Sequence, residues 1–273
     1  MDRKISIDLG AIQETLLLPL WGRAVESQKQ HPKLADNKAV EILGAIDYDF
    51  STIAGNISWI TQYAWVARCL HVDAAIREFC TTHPRGSIVN IGCGLDTTFD
   101  RIDNGTITFY DLDLPDVISL RMKFFQETER HPMIAQSFLD EQWFDRIGKE
   151  HSVLFIAAGV FYYFREPEIR QFILSLCRCF PGSEMFFDIA SPMGVRVANK
   201  KVIRDGGMDA TAMLQWGIGS PGDIERWDPH IRVSDAYPLF KGMKKGFSAK
   251  AKYALWMSDV LRIMSMLHVK ILS

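Results

Sequence analysis

Cysteine is sparse and unpatterned in this chain. Its five cysteines, Cys69, Cys80, Cys93, Cys177 and Cys179, are odd in number and include no CxxC pair. Neither a disulfide framework nor a zinc site is expected, and reduced thiols in a cytoplasmic setting are the default. An excess of charge is missing too. Lys and Arg total 31 against 33 Asp and Glu, a formal charge of −2, which argues against a sequence-independent grip on nucleic acid, since such grips rest on many cation contacts to phosphates. A specific RNA contact needs no such excess. Long apolar runs are also absent: none reaches the roughly 18 residues that span a bilayer, so no membrane partner is expected. The opening MDRKISIDLGAIQETLLLPLW carries a basic pair and then apolar positions, but Asp2, Asp8, Gln13 and Glu14 interrupt it and no small-residue cleavage site follows. It reads as helix of the mature protein rather than as a leader.

What is present is an ordinary globular composition, 48% apolar and 23% charged over 273 residues, for which one large α/β domain is the simplest fit. From Ile5 to Phe79 apolar residues recur at helical spacing, as in Ile12, Leu16, Pro19 and Leu20, and predict a helical N-terminal cover over residues 1–84. Ser58 or Asn56 caps a helix carrying Trp59, Tyr63, Val66 and Leu70, followed after a short break by Ala74 to Phe79. The rhythm then changes. SIVNIG, TITFYDLD, MIAQSF, SVLFIAAG and EMFFDIA are short β-prone runs separated by the helix-like LPDVISLRMKFF, EQWFDRIG and EPEIRQFILSLCRCF. Such alternation means a parallel, doubly wound sheet with helical crossovers, here over residues 85–273. An insertion at about 192–230 contains the helix-like MGVRVANKKVIRD and ATAMLQWGIG. IRVSDAY, SAKAKYALWMSDVLRIM and SMLHVKI then give a strand, a helix and a last strand.

The strongest chemical feature is IVNIGCGLDT, residues 88–97, where a buried-type strand runs into Gly92, Cys93 and Gly94. Glycine permits a tight turn and close approach of a ligand to the backbone. Asp111 and Asp113, in FYDLDLP, follow at the interval where an acid hydrogen-bonds ribose hydroxyls. Strand alternation puts both acids on one face, so periodicity does not choose between them. A lone GxG is also compatible with a plain strand-to-helix turn. The dinucleotide fingerprint GxGxxG is incomplete, because Thr97 stands at its third glycine, and Asp96 at the helix start is ill suited to a pyrophosphate. This demotes NAD and favours an adenosine ligand without phosphates, of which S-adenosylmethionine is the common one.

These residues carry a resemblance. TLLLPLWGRA, IDYDF, WVARCLHVD, VNIGCGLDTTFDR, YDLDLPDVISLR, AAGVFYYF and PGSEMFFD, in that order between Ile12 and Asp188, resemble the leucine carboxyl methyltransferase family, in particular its bacterial branch of polyketide-synthesis O-methyltransferases. The resemblance implies a class I, S-adenosylmethionine-dependent methyltransferase. Its Rossmann-like sheet has seven strands, the last antiparallel, under extra helices. It assigns Arg68 to the methionine carboxylate, a role suited to a planar guanidinium, with Arg23 as a second candidate. The plainer reading of Arg68 is a helix-surface residue pairing with Asp73 or Glu78. Gly92, Cys93 and Gly94 fall beside the amino-acid part of the cofactor, and the ribose acid falls on Asp113, next to Leu114, rather than on Asp111. Two positions depart from the family. Ser137-Phe138 stands where an Asp-Leu pair usually meets the adenine, and Ala158 where a Glu often fixes the ammonium group, so a contact there must use backbone carbonyls.

Tyr163, Phe161 and Tyr162 follow that strand and are candidates for the substrate pocket, as are Trp216 and its neighbours Met193, Met208, Met213 and Trp227; all of them suit an ordinary core equally. Met257, Met264 and Met266 are left to packing. No catalytic base stands out. His131 and His151 sit at strand entrances and read as surface residues behind the sheet, and His71, His83, His230 and His268 have no evident partner. A carboxylate acceptor is ionised without help whereas a phenol needs a base, so the small-molecule substrate is expected to be the carboxylate or phenol of a polyketide-like or aromatic acid. Two other readings remain: methylation of a protein C-terminal carboxylate, and a catalytically idle S-adenosylmethionine-binding protein.

Overall fold

The computed structural model describes residues 4–148 and 151–273. The first residues are less helical than their apolar spacing predicts, and Met1, Asp2 and Arg3 lie outside the described residues. Ile5, Ile7 and Leu9 alternate with Ser6 and Asp8 in sequence and in burial. This period of two makes a short strand, β1 (Ile5–Ser6), parallel to β2 (Ile46–Asp47). Helix α1 (Ala11–Glu14) is a single turn, and α2 (Leu17–Ser27), α3 (Asn37–Ala45) and α4 (Ser51–Asn56) follow. Asp36 caps α3 by accepting from the Ala39 N–H at 3.0 Å. Helix α5 (Trp59–Thr82) is capped by Ser58 and runs unbroken for 24 residues. The expected break near residues 71–73 is absent because no Gly or Pro interrupts them and the Asp73 carboxylate is held by Arg101.

The main sheet then unfolds in order. It comprises β3 (Ser87–Ile91), α6 (Thr98–Ile102), β4 (Thr108–Asp113), α7 (Pro115–Arg121), β5 (Met133–Ala135), β6 (Val153–Ala157), α8 (Glu166–Cys179) and β7 (Glu184–Ala190). After these come α9 (Pro192–Ala198), β8 (Ile231–Pro238), α10 (Ala249–Val260) and β9 (Met264–Ile271). The seven strands are ordered β5-β4-β3-β6-β7-β9-β8, parallel except for β9, which is antiparallel to both neighbours. This is the seven-stranded Rossmann-like sheet with its last strand antiparallel. The crossover EQWFDRIG is a 3₁₀ helix, Glu141–Arg146, rather than an α-helix. In the insertion, α9 runs into a π-helical turn, Asn199–Arg204, whereas ATAMLQWGIG keeps only one 3₁₀ turn at Ala210–Ala212.

Side chains alternate across the sheet, as a strand period of two requires. Ile88, Leu154, Ile156 and Phe186 pack with Val66, Ile76 and Phe79 of α5, while Val89, Phe155 and Phe187 pack with Phe172, Ile173 and Leu176 of α8. Both β3 and β6 are buried throughout, and the strand order reverses between them. Crevices for ligands open at the carboxyl ends of strands at such a reversal. Among the described residues no helix is long and apolar enough to cross a membrane.

Candidate active site

A cavity of about 590 Å³ opens at this reversal and extends beneath the N-terminal helices and α9. The turn after β3 forms its floor. Gly92 and Cys93 both donate to the Leu112 carbonyl, at 2.8 and 3.2 Å, and Asp96 N–H closes onto the Cys93 carbonyl at 2.8 Å. Gly92 has φ +62°, and a Cβ there would lie 2.5 Å from Val160 Cγ2, so only glycine fits. Gly94, φ +49°, is approached by the Leu16 Cβ, 3.2 Å from where a Cβ would stand.

The two candidate acids have separate jobs. Asp113 faces the cavity: Oδ2 accepts from Gly94 N–H and Oδ1 from Leu114 N–H, both at 2.8 Å. Burial nonetheless pushes its carboxyl up to about 6. Asp111 lies beneath the turn with 0% exposure. It accepts from Asn90 Nδ2 at 3.1 Å and Arg121 Nε at 2.9 Å, and contacts His131 Nε2. Arg121 in turn donates to the carbonyls of Gly94 and Asp96, at 3.1 and 2.6 Å. The pair thus braces the glycine turn from below. His131 is therefore no surface residue: it is buried, stacked on Phe99 at 4.1 Å and bonded to Asp111. The other unpartnered histidines also have neighbours, with His71 on the Leu239 carbonyl, His83 against Phe79, His230 on Asp228 and His268 on Glu184.

Arg68 points from α5 into the cavity wall and pairs with neither Asp73 nor Glu78. Its Nε stands 3.0 Å from Oδ2 of Asp188, at the end of β7. Asp73 is occupied by Arg101 instead. The other Asp188 oxygen accepts from Gly159 N–H at 2.6 Å, and a Cβ on Gly159 would lie 2.3 Å from Arg68 Nη1. One buried carboxylate therefore positions both the arginine and the turn after β6. Sequence reasoning missed Asp188, although it ends the PGSEMFFD run. Arg23 also borders the cavity, but its Nε is held by Asp36 at 3.0 Å and its Nη2 by the Leu95 carbonyl at 2.7 Å, so it secures the far side of the turn.

Cys93, Leu114, Ser137, Phe138 and Ala158 all border the cavity. Beside them is Gln136, whose Oε1 is buried without a partner; its position just before Ser137 is the only sequence signal for it. Of the substrate-pocket candidates, Tyr162 and Tyr163 line the cavity, and burial pushes both phenols up. Phe161 does not line it. It has 0% exposure and packs on Phe187 and Phe138 at 5.1 and 5.9 Å, because the 3₁₀ turn that sets its two neighbours on the cavity wall directs it into the core. Trp216 is also core, with its ring tilted against Trp227 at 6.2 Å; it is its backbone N–H, bonded to the Tyr162 carbonyl at 3.2 Å, that supports the wall. Met193 is exposed, and Met208, Met213 and Trp227 pack elsewhere. Met264 packs against the core as expected and also lines the cavity.

Away from the glycine turn the cavity is largely apolar, lined by Ile60, Ala64 and Trp65 of α5, Val197 and Ala198 of α9, and Leu214, Phe240 and Met264, and its lining includes the polar Thr61, Lys201 and Ser258. No histidine lines it among the described residues, and the Cys69 and Cys93 thiols on its wall are pushed up by burial. No cluster of potential metal ligands occurs among the described residues.

The family profile described as Leucine carboxyl methyltransferase matches residues 17–176. The tetracenomycin polyketide synthesis O-methyltransferase TcmP of Streptomyces glaucescens is 32% identical over 236 residues, 86% of this chain and 85% of that protein. The S-adenosyl-L-methionine-dependent methyltransferase dpfgK of Gibberella zeae is 23% identical over 255 residues, 85% of this chain and 84% of its own. In three dimensions the plantazolicin methyltransferase BamL, solved with a triazolic desmethylPZN analog and SAH, superposes with a TM-score of 0.52 at 11% identity, covering 96% of this chain and 98% of that one. A DUF574 family protein from Streptomyces avermitilis gives a TM-score of 0.57 at 11% identity, covering 92% and 96%. At that identity the likeness is one of fold.

Proposed function

Because the chain belongs to the leucine carboxyl methyltransferase family, we propose that it is an S-adenosylmethionine-dependent O-methyltransferase acting in the cytoplasm on a small, largely apolar carboxylic acid of polyketide-like or aromatic kind. One observation carries this reading. A single cavity joins the glycine turn and Asp113 to a largely apolar chamber that contains no histidine.

The residues present fit the cofactor. Glycines at 92 and 94 leave room where a Cβ would close the floor, Asp113 keeps lone pairs free beside its two backbone donors, and Gln136 Oε1 is an orphaned buried acceptor. Asp113 would hold the ribose hydroxyls. Gly92, Cys93, Gly94 and Arg68 would hold the amino-acid end, with the backbone at Ala158 in place of a glutamate. Ser137, Phe138 and Gln136 would meet the adenine. When bound, S-adenosylmethionine supplies an electrophilic methyl group on a sulfonium leaving group and departs as S-adenosylhomocysteine.

The chain's own work is then alignment and exclusion of water. Trp65, Phe240 and Met264 offer flat and polarizable surface to an aromatic acceptor. Of the titratable groups in the lining, Asp113 is committed to the ribose and the Lys201 ammonium is paired with Asp205 at 3.1 Å. Tyr162 and Tyr163 stay protonated, the two thiols stay neutral, and Asp96 is held below the usual carboxylate range by the Arg101 and Arg23 charges acting against its burial. An acceptor that arrives ionised needs no base. A carboxylic acid, with a pKa near 4, meets that condition at neutral pH, whereas a phenol near 10 does not.

The test is calorimetric titration of ligand-free protein with S-adenosylmethionine, S-adenosylhomocysteine and NADH, followed by transfer of labelled methyl to matched panels of aromatic acids and phenols. Binding of the two sulfur ligands alone, with an alkali-labile ester as product, is expected. An alkali-stable ether would move the acceptor to a phenol. Folded protein that binds neither sulfur ligand would mean that Ala158 and Ser137 have abolished the site.

A further inference from the structure

The near-zero net charge hides a polarised surface. Between residues 241 and 262 the chain carries Lys241, Lys244, Lys245, Lys250, Lys252 and Arg262 against one acid, Asp259. That acid is buried and paired with Lys244. A second stretch joins this one: Lys33 Nζ donates to the Lys245 carbonyl at 2.8 Å and lies 5.6 Å over the Phe247 ring. Glu26, which accepts from Lys33 backbone N–H, is also buried and is paired with Lys29. On this face the two acids are buried and the cations, Lys244 apart, are exposed.

The same face is apolar where it should be polar. Tyr253, Trp256, Val260 and Leu261 are 62, 49, 55 and 44% exposed. Spacings of three and four residues put Tyr253, Trp256 and Val260 along one side of α10, next to the side that buries Leu255 and Asp259. The rings of Tyr253 and Trp256 are 5.8 Å apart. Trp59, 45% exposed, continues the surface past the start of α10 through its contact with Phe247 at 5.9 Å. Scattered exposed apolar residues need no explanation, but an aromatic and aliphatic stripe ringed by lysines does.

We propose that this face docks on an anionic lipid surface. The tryptophan, tyrosine and branched side chains would enter the headgroup region while the lysines reach the lipid phosphates from beside them. A second copy of the chain is a poor occupant, because a two-fold contact would set lysine against lysine. RNA would use the cations and rings but has no use for Val260 and Leu261. The segments that flank α10 contribute Phe240, Ile263 and Met264 to the cavity wall. An apolar acceptor dissolved in the lipid would therefore meet the cavity beside the docking face. The docking itself concerns side chains outside the cavity, whereas the route for an acceptor rests on the methyl-transfer reading.

The test is flotation of the whole protein with vesicles of phosphatidylcholine alone or mixed with phosphatidylglycerol, with RNA of mixed sequence as a competitor. Binding to the mixed vesicles, weakened by added salt, and a blue shift of tryptophan emission are expected. Each lysine near such a surface contributes about fivefold, so Lys250→Ala with Lys252→Ala is expected to weaken binding about 25-fold. Trp256→Ser with Val260→Ser is expected to weaken it about tenfold or more and to abolish the shift. Circular dichroism and a thermal melt report that the variants remain folded. Folded wild-type protein that ignores the mixed vesicles overturns the proposal. So does binding that neither pair of substitutions alters, or a dimer that Trp256→Ser with Val260→Ser converts to monomers.

Discussion

Asp111 and Asp113 differ by two residues in sequence, yet replacing each with alanine is expected to damage different properties. Each oxygen of Asp113 already accepts one backbone N–H at 2.8 Å, and its remaining lone pairs are the acceptors left for two ribose hydroxyls. Hydrogen bonds to a charged group contribute about 1.5–3 kcal/mol each. Losing two predicts about 3–6 kcal/mol, at least a hundredfold in the dissociation constant of S-adenosylhomocysteine. Asp111→Ala instead leaves Arg121, 1% exposed, without its counter-charge. Breaking a buried pair from one side costs about 3–5 kcal/mol of stability, which for chains of this size lowers the melting midpoint by roughly 6–20 °C. Calorimetry for affinity and a thermal melt for stability separate the two. The reasoning fails if Asp113→Ala binds cofactor as the wild type does, or if Asp111→Ala melts normally while losing more affinity than Asp113→Ala.

The raised carboxyl of Asp113, about 6, gives a pH dependence of defined sign. A folded-state value above that of the unfolded chain means that ionisation costs stability at neutral pH, a cost relieved as pH falls through 6. Cofactor affinity runs the other way: it is expected to be flat above pH 6 and to fall toward tenfold per unit below it, and an Asp113→Asn protein that keeps the same slope would refute the assignment. Asp188→Asn retains an acceptor for Gly159 N–H but removes the charge facing Arg68. A cofactor KM raised about tenfold at nearly unchanged kcat is expected, and a lowered melting midpoint with unchanged KM would make Asp188 purely structural. Met264→Phe is expected to alter the acceptor spectrum because Met264 lines the chamber. Trp216→Phe, in the core, is expected to change stability alone, and a shifted acceptor preference in that variant would return Trp216 to the pocket.

Much of the sheet was legible because each strand is a short apolar run bounded by breakers. The stretch Glu184–Ala190 coincides with its strand. The glycine turn was legible too, since positive φ leaves few alternatives to glycine at 92 and 94. Contacts between distant segments were not. Nothing local in FFD distinguishes Asp188 from an edge carboxylate until α5 brings Arg68 against it. His131 reads as a loop residue before proline, yet it is drawn inside by Asp111, twenty positions earlier. The alternation in ISIDL was too short to stand out among helical spacing. The whole-chain charge, averaged over every residue, concealed the lysine-ringed face of α10.

The position of β9 also bears on how the molecule assembles. Residues 231–238 have no partner in the sheet except β9, which follows them in the chain and separates them from β7. β3 to β7 pair among themselves without either. A folding chain can thus complete the floor beneath the glycine turn first, with native pairings already in register. β8 and the wall holding Phe240 and Met264 are tied to the rest of the sheet through β9. The strands beneath the cofactor half are thus paired independently of those that carry the acceptor half, and a ligand bound to the floor alone would stabilise the half on which it sits.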